Sequence, residues 1–169
     1  MNDISSDPIK DLLAQGESET VEFKESFDDE AVETVAAFAN ARGGTLLIGV
    51  TDAGTVRGTM VGKESVRDWA NKIAQATHVN PRIREVLHEG KSVVVVEVAA
   101  SAARPHPAKG KYFIRIGKSN RHMTEDDMTR MILAKVGMAP NRSKMKPKRC
   151  SWHVPANVGR FGPRRYSDN

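Results

Sequence analysis

At 169 residues with one cysteine, the chain is long enough for a single domain with a true core, and too poor in thiols for a disulfide framework or a zinc knuckle. Its net charge of +5 suits polyanionic partners without choosing among them. No apolar run approaches the roughly eighteen residues of a membrane span, and the polar, acidic start does not read as a leader, so no membrane partner is expected and the cytoplasm is the expected compartment.

The charge is uneven. Residues 1–56 are acidic, residues 57–121 are basic, and the stretch from 136 onward is basic again. In chain order, Asp7-Pro8 followed by Ile9, Leu12 and Leu13 predicts a short capped helix ending at Gly16. Thr20 to Lys24 predicts a strand. From Asp28 or Asp29 to Ala41, Val32, Val35, Ala36 and Ala39 fall at helical spacing, with acidic residues at the positive end of the helix dipole. Gly43-Gly44 stops that helix. Thr45–Val50 is a continuous apolar run, the pattern of a buried strand, with a turn at Asp52-Ala53-Gly54 and a short return strand from Thr55 to Gly58.

Glu64 to Thr77 predicts a second amphipathic helix, and Ile83–Leu87 with Ser92–Val98 predicts a hairpin. Ser101 to Gly110 reads as a loop, with His106 exposed between its prolines. Lys111 to Ile116 is a further strand and Glu125 to Lys135 a last helix. Strands and helices mix without regular alternation, which predicts an α+β fold: a mixed sheet flanked by helices. The expected organisation is a lead-in over 1–11, a domain over 12–135 and a basic, disordered tail over 136–169.

Two acidic groups stand out. Glu17 and Glu22 flank the start of the first strand, and Asp52 sits in the turn after the central one. If those strands are neighbours, the three carboxylates meet at one sheet edge, where a hard divalent cation would be held by carboxylates, water and phosphate oxygens. The alternative is a set of solvated surface acids, which is the reading for Glu19 and Glu25. Lys24 either meets phosphate or neutralises the adjacent carboxylates. Asn40, before the double glycine, is expected to cap or cross-link backbone at the helix end, with substrate contact as the alternative.

Glu17-x4-Glu22-Phe23-Lys24, Ala37-Phe38-Ala39-Asn40, Gly43-Gly44, Ile48-Gly49-Val50, Asp52-x-Gly54 and Tyr112-Phe113-Ile114-Arg115-Ile116-Gly117, in this order, resemble the Schlafen AlbA_2 domain over roughly residues 12–135. The resemblance implies a single Schlafen-type lobe that binds nucleic acid. Vertebrate Schlafens of this fold cleave tRNA and rRNA with three acidic residues, which match Glu17, Glu22 and Asp52 here. It therefore implies a Mg- or Mn-dependent endoribonuclease acting on tRNA-like structured RNA. Prokaryotic members are described as DNA-binding proteins or transcriptional regulators, which implies the alternative, a non-catalytic DNA-binding module. The vertebrate core has two lobes and a zinc site; this chain has one lobe and a lone cysteine, so a homodimer would have to supply the second lobe.

Arg104, Lys109, Lys111, Arg115, Lys118 and Arg121 surround the last predicted strand and its loops; all but Lys109, with Lys24, are the candidate phosphate contacts. Arg115 and Lys118 lead, because Arg-Ile-Gly-Lys sets a forked donor and a flexible cation around a turn. The alternative for each is a solvated face. Phe113 is expected in the core, and Tyr112 is free to stack on a base. Gly58-x3-Gly62-Lys63-Glu64 fails as a P-loop in spacing and in lacking Ser or Thr after the lysine, so no nucleotide loop is expected. The histidines have no zinc spacing. Arg142, Lys144, Lys146, Lys148 and Arg149, followed by Trp152 and His153, form a basic cluster able to hold nucleic acid loosely.

Overall fold

The computed structural model describes residues 8–62 and 64–137. The cap residue Asp7 and the basic cluster from Arg142 to His153, Cys150 included, lie outside the described residues.

Among the described residues, four helices and two small sheets make an α+β fold. Helix α1 (Pro8–Gln15) leads into strand β1 (Val21–Lys24), helix α2 (Asp29–Asn40) and strand β2 (Gly43–Ile48). Strands β1 and β2 are parallel, and α2 is the crossover that a parallel pair requires. After helix α3 (Ser65–Thr77), strands β3 (Arg82–His88) and β4 (Lys91–Ala99) form a hairpin that completes the sheet in the order β1-β2-β4-β3. Glu89 and Gly90 both have positive φ, the geometry of a two-residue hairpin turn, so both strands run further than the apolar pattern predicts.

The second sheet joins β5 (Pro107–Ala108), β6 (Lys111–Ile116) and β7 (Ser119–His122), and helix α4 (Glu125–Lys135) follows it. The predicted return strand at Thr55–Gly58 is only an isolated bridge between Val50 and Val56. Among the described residues, no helix is long and apolar enough to cross a membrane.

The Leu46–Ile48 half of strand β2 is wholly apolar because both its faces are covered. Leu46 and Ile48 meet Val32, Val35 and Phe38 of α2, while Leu47 meets Ile9 of α1 and Phe23 of β1. Helix α2 lies between the two sheets, so Ala36 and Ala37 on its far flank pack against Ala108 and Phe113. That position explains a helix buried on almost every side and built largely of alanine and valine. Close approach also explains Gly44: a Cβ there would sit 2.8 Å from the Phe38 ring and 2.8 Å from the Thr20 carbonyl oxygen.

Candidate nucleic-acid interface

Alternation along β1 sends Val21 and Phe23 to the α1 face of the sheet and leaves Glu22 and Lys24 on the α2 face. There Glu22 meets Arg115 of β6. Arg115 Nη2 donates to Glu22 Oε2 at 2.6 Å and to the Ser18 carbonyl at 2.9 Å, and Nη1 donates to Asn120 Oδ1 at 3.1 Å. Asn120 in turn donates to Thr34 Oγ1 of α2 at 2.8 Å. The guanidinium lies over the Phe38 ring and its side chain is 0% exposed. The network ties the first strand of the large sheet to the small sheet across α2.

Burial pushes the Glu22 carboxyl above its ordinary value; the Arg115 hydrogen bond and charge oppose that push, and the Glu17 charge adds to it. Glu17 is therefore close enough to be felt, and its Oε1 accepts from the Phe23 N–H at 3.3 Å. Lys24 bonds Glu30 Oε2 at 2.8 Å and lies 3.8 Å from Glu22 Oε1. Burial pulls the Lys24 ammonium down, but Glu30 and Glu22 outweigh it, so its pKa rises.

Asp52 sits exposed in the turn after β2. Among the described residues, no three carboxylate, imidazole or thiol side chains are grouped to share a metal ion. As placed, Glu22 and Glu17 are committed to Arg115 and to the Phe23 amide, which is not a ready cradle for a divalent cation.

The candidate phosphate contacts scatter. Lys111 and Lys118 are exposed at the two ends of β6. Arg121 bonds Asp127 Oδ2 at 2.8 Å, and Arg104 donates to the Ala41 carbonyl at 3.0 Å. Arg115 is inside rather than on the surface: β6 turns Phe113 and Arg115 inward and leaves Ile116 half exposed. Its charge had suggested the opposite orientation, but a forked donor facing a buried carboxylate is stable where a lone cation is not.

Asn40 cross-links backbone as expected, over a longer range. Its Nδ2 donates to the His106 and Phe113 carbonyls at 2.8 Å each, and its Oδ1 accepts from the His106 N–H at 2.6 Å. His106 is buried, not exposed: its ring meets the Thr77 carbonyl at 3.1 Å and Ser101 Oγ at 2.7 Å. A histidine between two prolines does not by itself indicate either partner, one five residues earlier and the other 29. Arg42, Arg130 and Lys135, which sequence reasoning passed over, join Arg104 around one cleft.

An α+β domain with a Glu-Phe-Lys first strand, an Ala-Asn-ended crossover helix and an Arg-bearing hairpin defines a recognisable class. The chain belongs to the Schlafen AlbA_2 family, whose sequence profile matches residues 17–124. The DIP2311 protein from Corynebacterium diphtheriae shares the fold, at a TM-score of 0.59 and 22% identity over 75% of this chain. This chain spans only 28% of that protein's length. The N-terminal domain of a RecG-related protein from Nitrosomonas europaea aligns at a TM-score of 0.49 and 25% identity, over 69% of this chain and 93% of that domain. No curated protein matches the sequence.

Proposed function

We propose that this protein is a nucleic-acid-binding module. Membership of the Schlafen AlbA_2 family supports a nucleic-acid-related role, and the exposed cations Lys111 and Lys118 supply charge of the right sign. The observation that favours binding over cleavage is the 2.6 Å pair between Glu22 and the buried Arg115. It employs the central carboxylate of the acidic set in holding two sheets together.

Metal-dependent cleavage of tRNA-like RNA, with Mg or Mn on Glu17, Glu22 and Asp52, is the second reading. It is favoured by the proximity of Glu17, whose charge adds to the larger upward push that burial gives the Glu22 pKa. The homodimer implied by the resemblance belongs to the same proposal and is checked by light scattering.

One experiment separates the readings. The full chain is incubated with bulk tRNA and with duplex DNA, with Mn or Mg and with chelator, beside Asp52→Asn. Asp52 is exposed, so its substitution leaves the fold alone. Intact nucleic acid with a salt-sensitive gel shift supports the binding module. Discrete RNA fragments that need both metal and Asp52 would replace it with the nuclease, and a folded protein that neither shifts nor cuts refutes both.

A further inference from the structure

The end of α2, the 101–104 loop, β6 and α4 enclose a cleft of about 530 Å³. That is the size of a pocket for a small organic ligand. Arg42, Arg104, Arg130 and Lys135 stand around it. The two acids that share its wall are already employed. Asp127 caps α4 through the Thr124 N–H and hydroxyl and holds Arg121, and Glu19 lies 3.6 Å from Arg42.

The cations are held loosely. The Arg42–Glu19 pair and the 3.3 Å Arg130–Asp126 pair are exposed contacts of the kind that contribute only a few tenths of a kcal/mol, so a phosphate can displace them. The Arg104 guanidinium has five N–H donors, and its bond to the Ala41 carbonyl uses one. Arg115 lies in the wall, and its Nε is a buried donor with no partner among the described residues. The wall thus carries five cationic side chains, Arg115 among them, against two carboxylates, an excess of positive charge that complements a phosphodiester. Beside the cations, Ile114, Met131 and Ala134 offer an apolar face.

We infer that this cleft seats one nucleotide of an unpaired nucleic-acid strand, with its phosphate on Arg104 and Arg130 and its base against Met131 and Ile114. A base can enter such a cleft only when it has left its stack, so a duplex is read poorly there. Cation and apolar face together distinguish this site from a flat basic patch, which would track any backbone. The inference rests on the nucleic-acid reading above and adds to it the place and the kind of strand.

The test is fluorescence anisotropy of the full chain with labelled single-stranded oligo(U) and oligo(dT) of about 12 nucleotides, within usual single-strand site sizes, beside a duplex of equal length. The proteins compared are the parent, Arg104→Ala/Arg130→Ala, Arg130→Glu alone, and Arg67→Ala as a distant exposed control. Arg130 is on the open side of α4, so Arg130→Glu keeps the test valid if Arg104 proves necessary for folding.

The parent is expected to prefer single strands. The double variant and Arg130→Glu are expected to bind them about tenfold or more weakly, with the salt slope of the double variant reduced by roughly 0.7 for each phosphate it no longer neutralises. Arg67→Ala should bind as the parent does. Single-strand binding unchanged in both cleft variants overturns the inference and leaves the nucleic-acid reading standing. Duplex preferred by the parent and lost in the cleft variants also overturns it, because the site would then follow paired backbone. A parent that binds neither strand removes the reading beneath it.

Discussion

Removing one partner of the Glu22–Arg115 pair should destabilise the protein far more than removing both. Arg115→Met keeps most of the length of the side chain and deletes its charge. It leaves the Glu22 carboxylate, 8% exposed, with only Lys24 at 3.8 Å, itself bonded to Glu30, and leaves the Ser18 carbonyl and Asn120 Oδ1 without the Arg115 donors. Breaking a buried pair from one side costs about 3–5 kcal/mol. At roughly 2–4 °C per kcal/mol for a chain of this size, Tm should fall by about 6–20 °C. Glu22→Leu strands the guanidinium instead and should cost a similar amount. The double variant replaces both charges with apolar groups over the Phe38 ring and should lie within about 2 kcal/mol of the parent.

Urea unfolding followed by far-UV circular dichroism at pH 7 on the four proteins gives the coupling directly. Additive single effects, with a coupling below about 0.5 kcal/mol, would refute the idea that this pair joins the sheets. The pH dependence carries a matching sign. The Glu22 pKa is raised above 4.5 in the folded state, so the folded chain holds that proton more tightly than the unfolded chain. Glu22 therefore subtracts stability above its raised pKa, and that loss is relieved as pH falls through it towards 4.5. Glu22→Gln should lack this component.

Two further outcomes are expected. Asn40→Ala removes three buried hydrogen bonds that hold α2 to the 106–113 segment, at about 1 kcal/mol each, so urea unfolding should show a loss of about 3 kcal/mol; a loss below about 1 kcal/mol would refute that role. The Thr124 backbone N–H and hydroxyl, with Arg121, lower the Asp127 pKa to about 2, so its contribution is present above pH 3.8 and disappears as pH falls through about 2. Asp127→Asn should flatten the acid titration of helical ellipticity between those values, and an unchanged slope would remove the capping box from the account of α4.

Most elements were legible because their signals are local. Helices α2 and α3 and the β3–β4 hairpin announce themselves by apolar spacing and by turn residues, and Asn40 by its place before two glycines. Strand β7 was missed because Ser119–His122 contains no apolar residue at all; it forms by pairing with β6 around Gly117 and Lys118. Arg115 and His106 were misread because burial of a polar side chain depends on partners far away in sequence. The guanidinium finds Glu22 and Ser18 more than ninety residues earlier, and the imidazole finds the Thr77 carbonyl 29 residues earlier. Neither partner is visible in the neighbouring residues.

The same long-range pairing changes what the acidic motif can be asked to do. The spacing of Glu17, Glu22 and Lys24 suggested side chains aimed at a substrate, yet each makes a bond around β1: Glu17 to the Phe23 amide, Glu22 to Arg115, Lys24 to Glu30. Releasing Glu22 from Arg115 at about 3 kcal/mol or more would leave the freed carboxylate in fewer than about one molecule in a hundred. Cleavage that requires that carboxylate would begin from this minor form unless a bound cation supplied the difference. Binding through Arg104, Arg130 and Lys135 requires only that weak surface pairs be exchanged for phosphate. It also follows that Glu22→Ala cannot separate catalysis from folding. The exposed Asp52 can, which is why its substitution decides between the two readings.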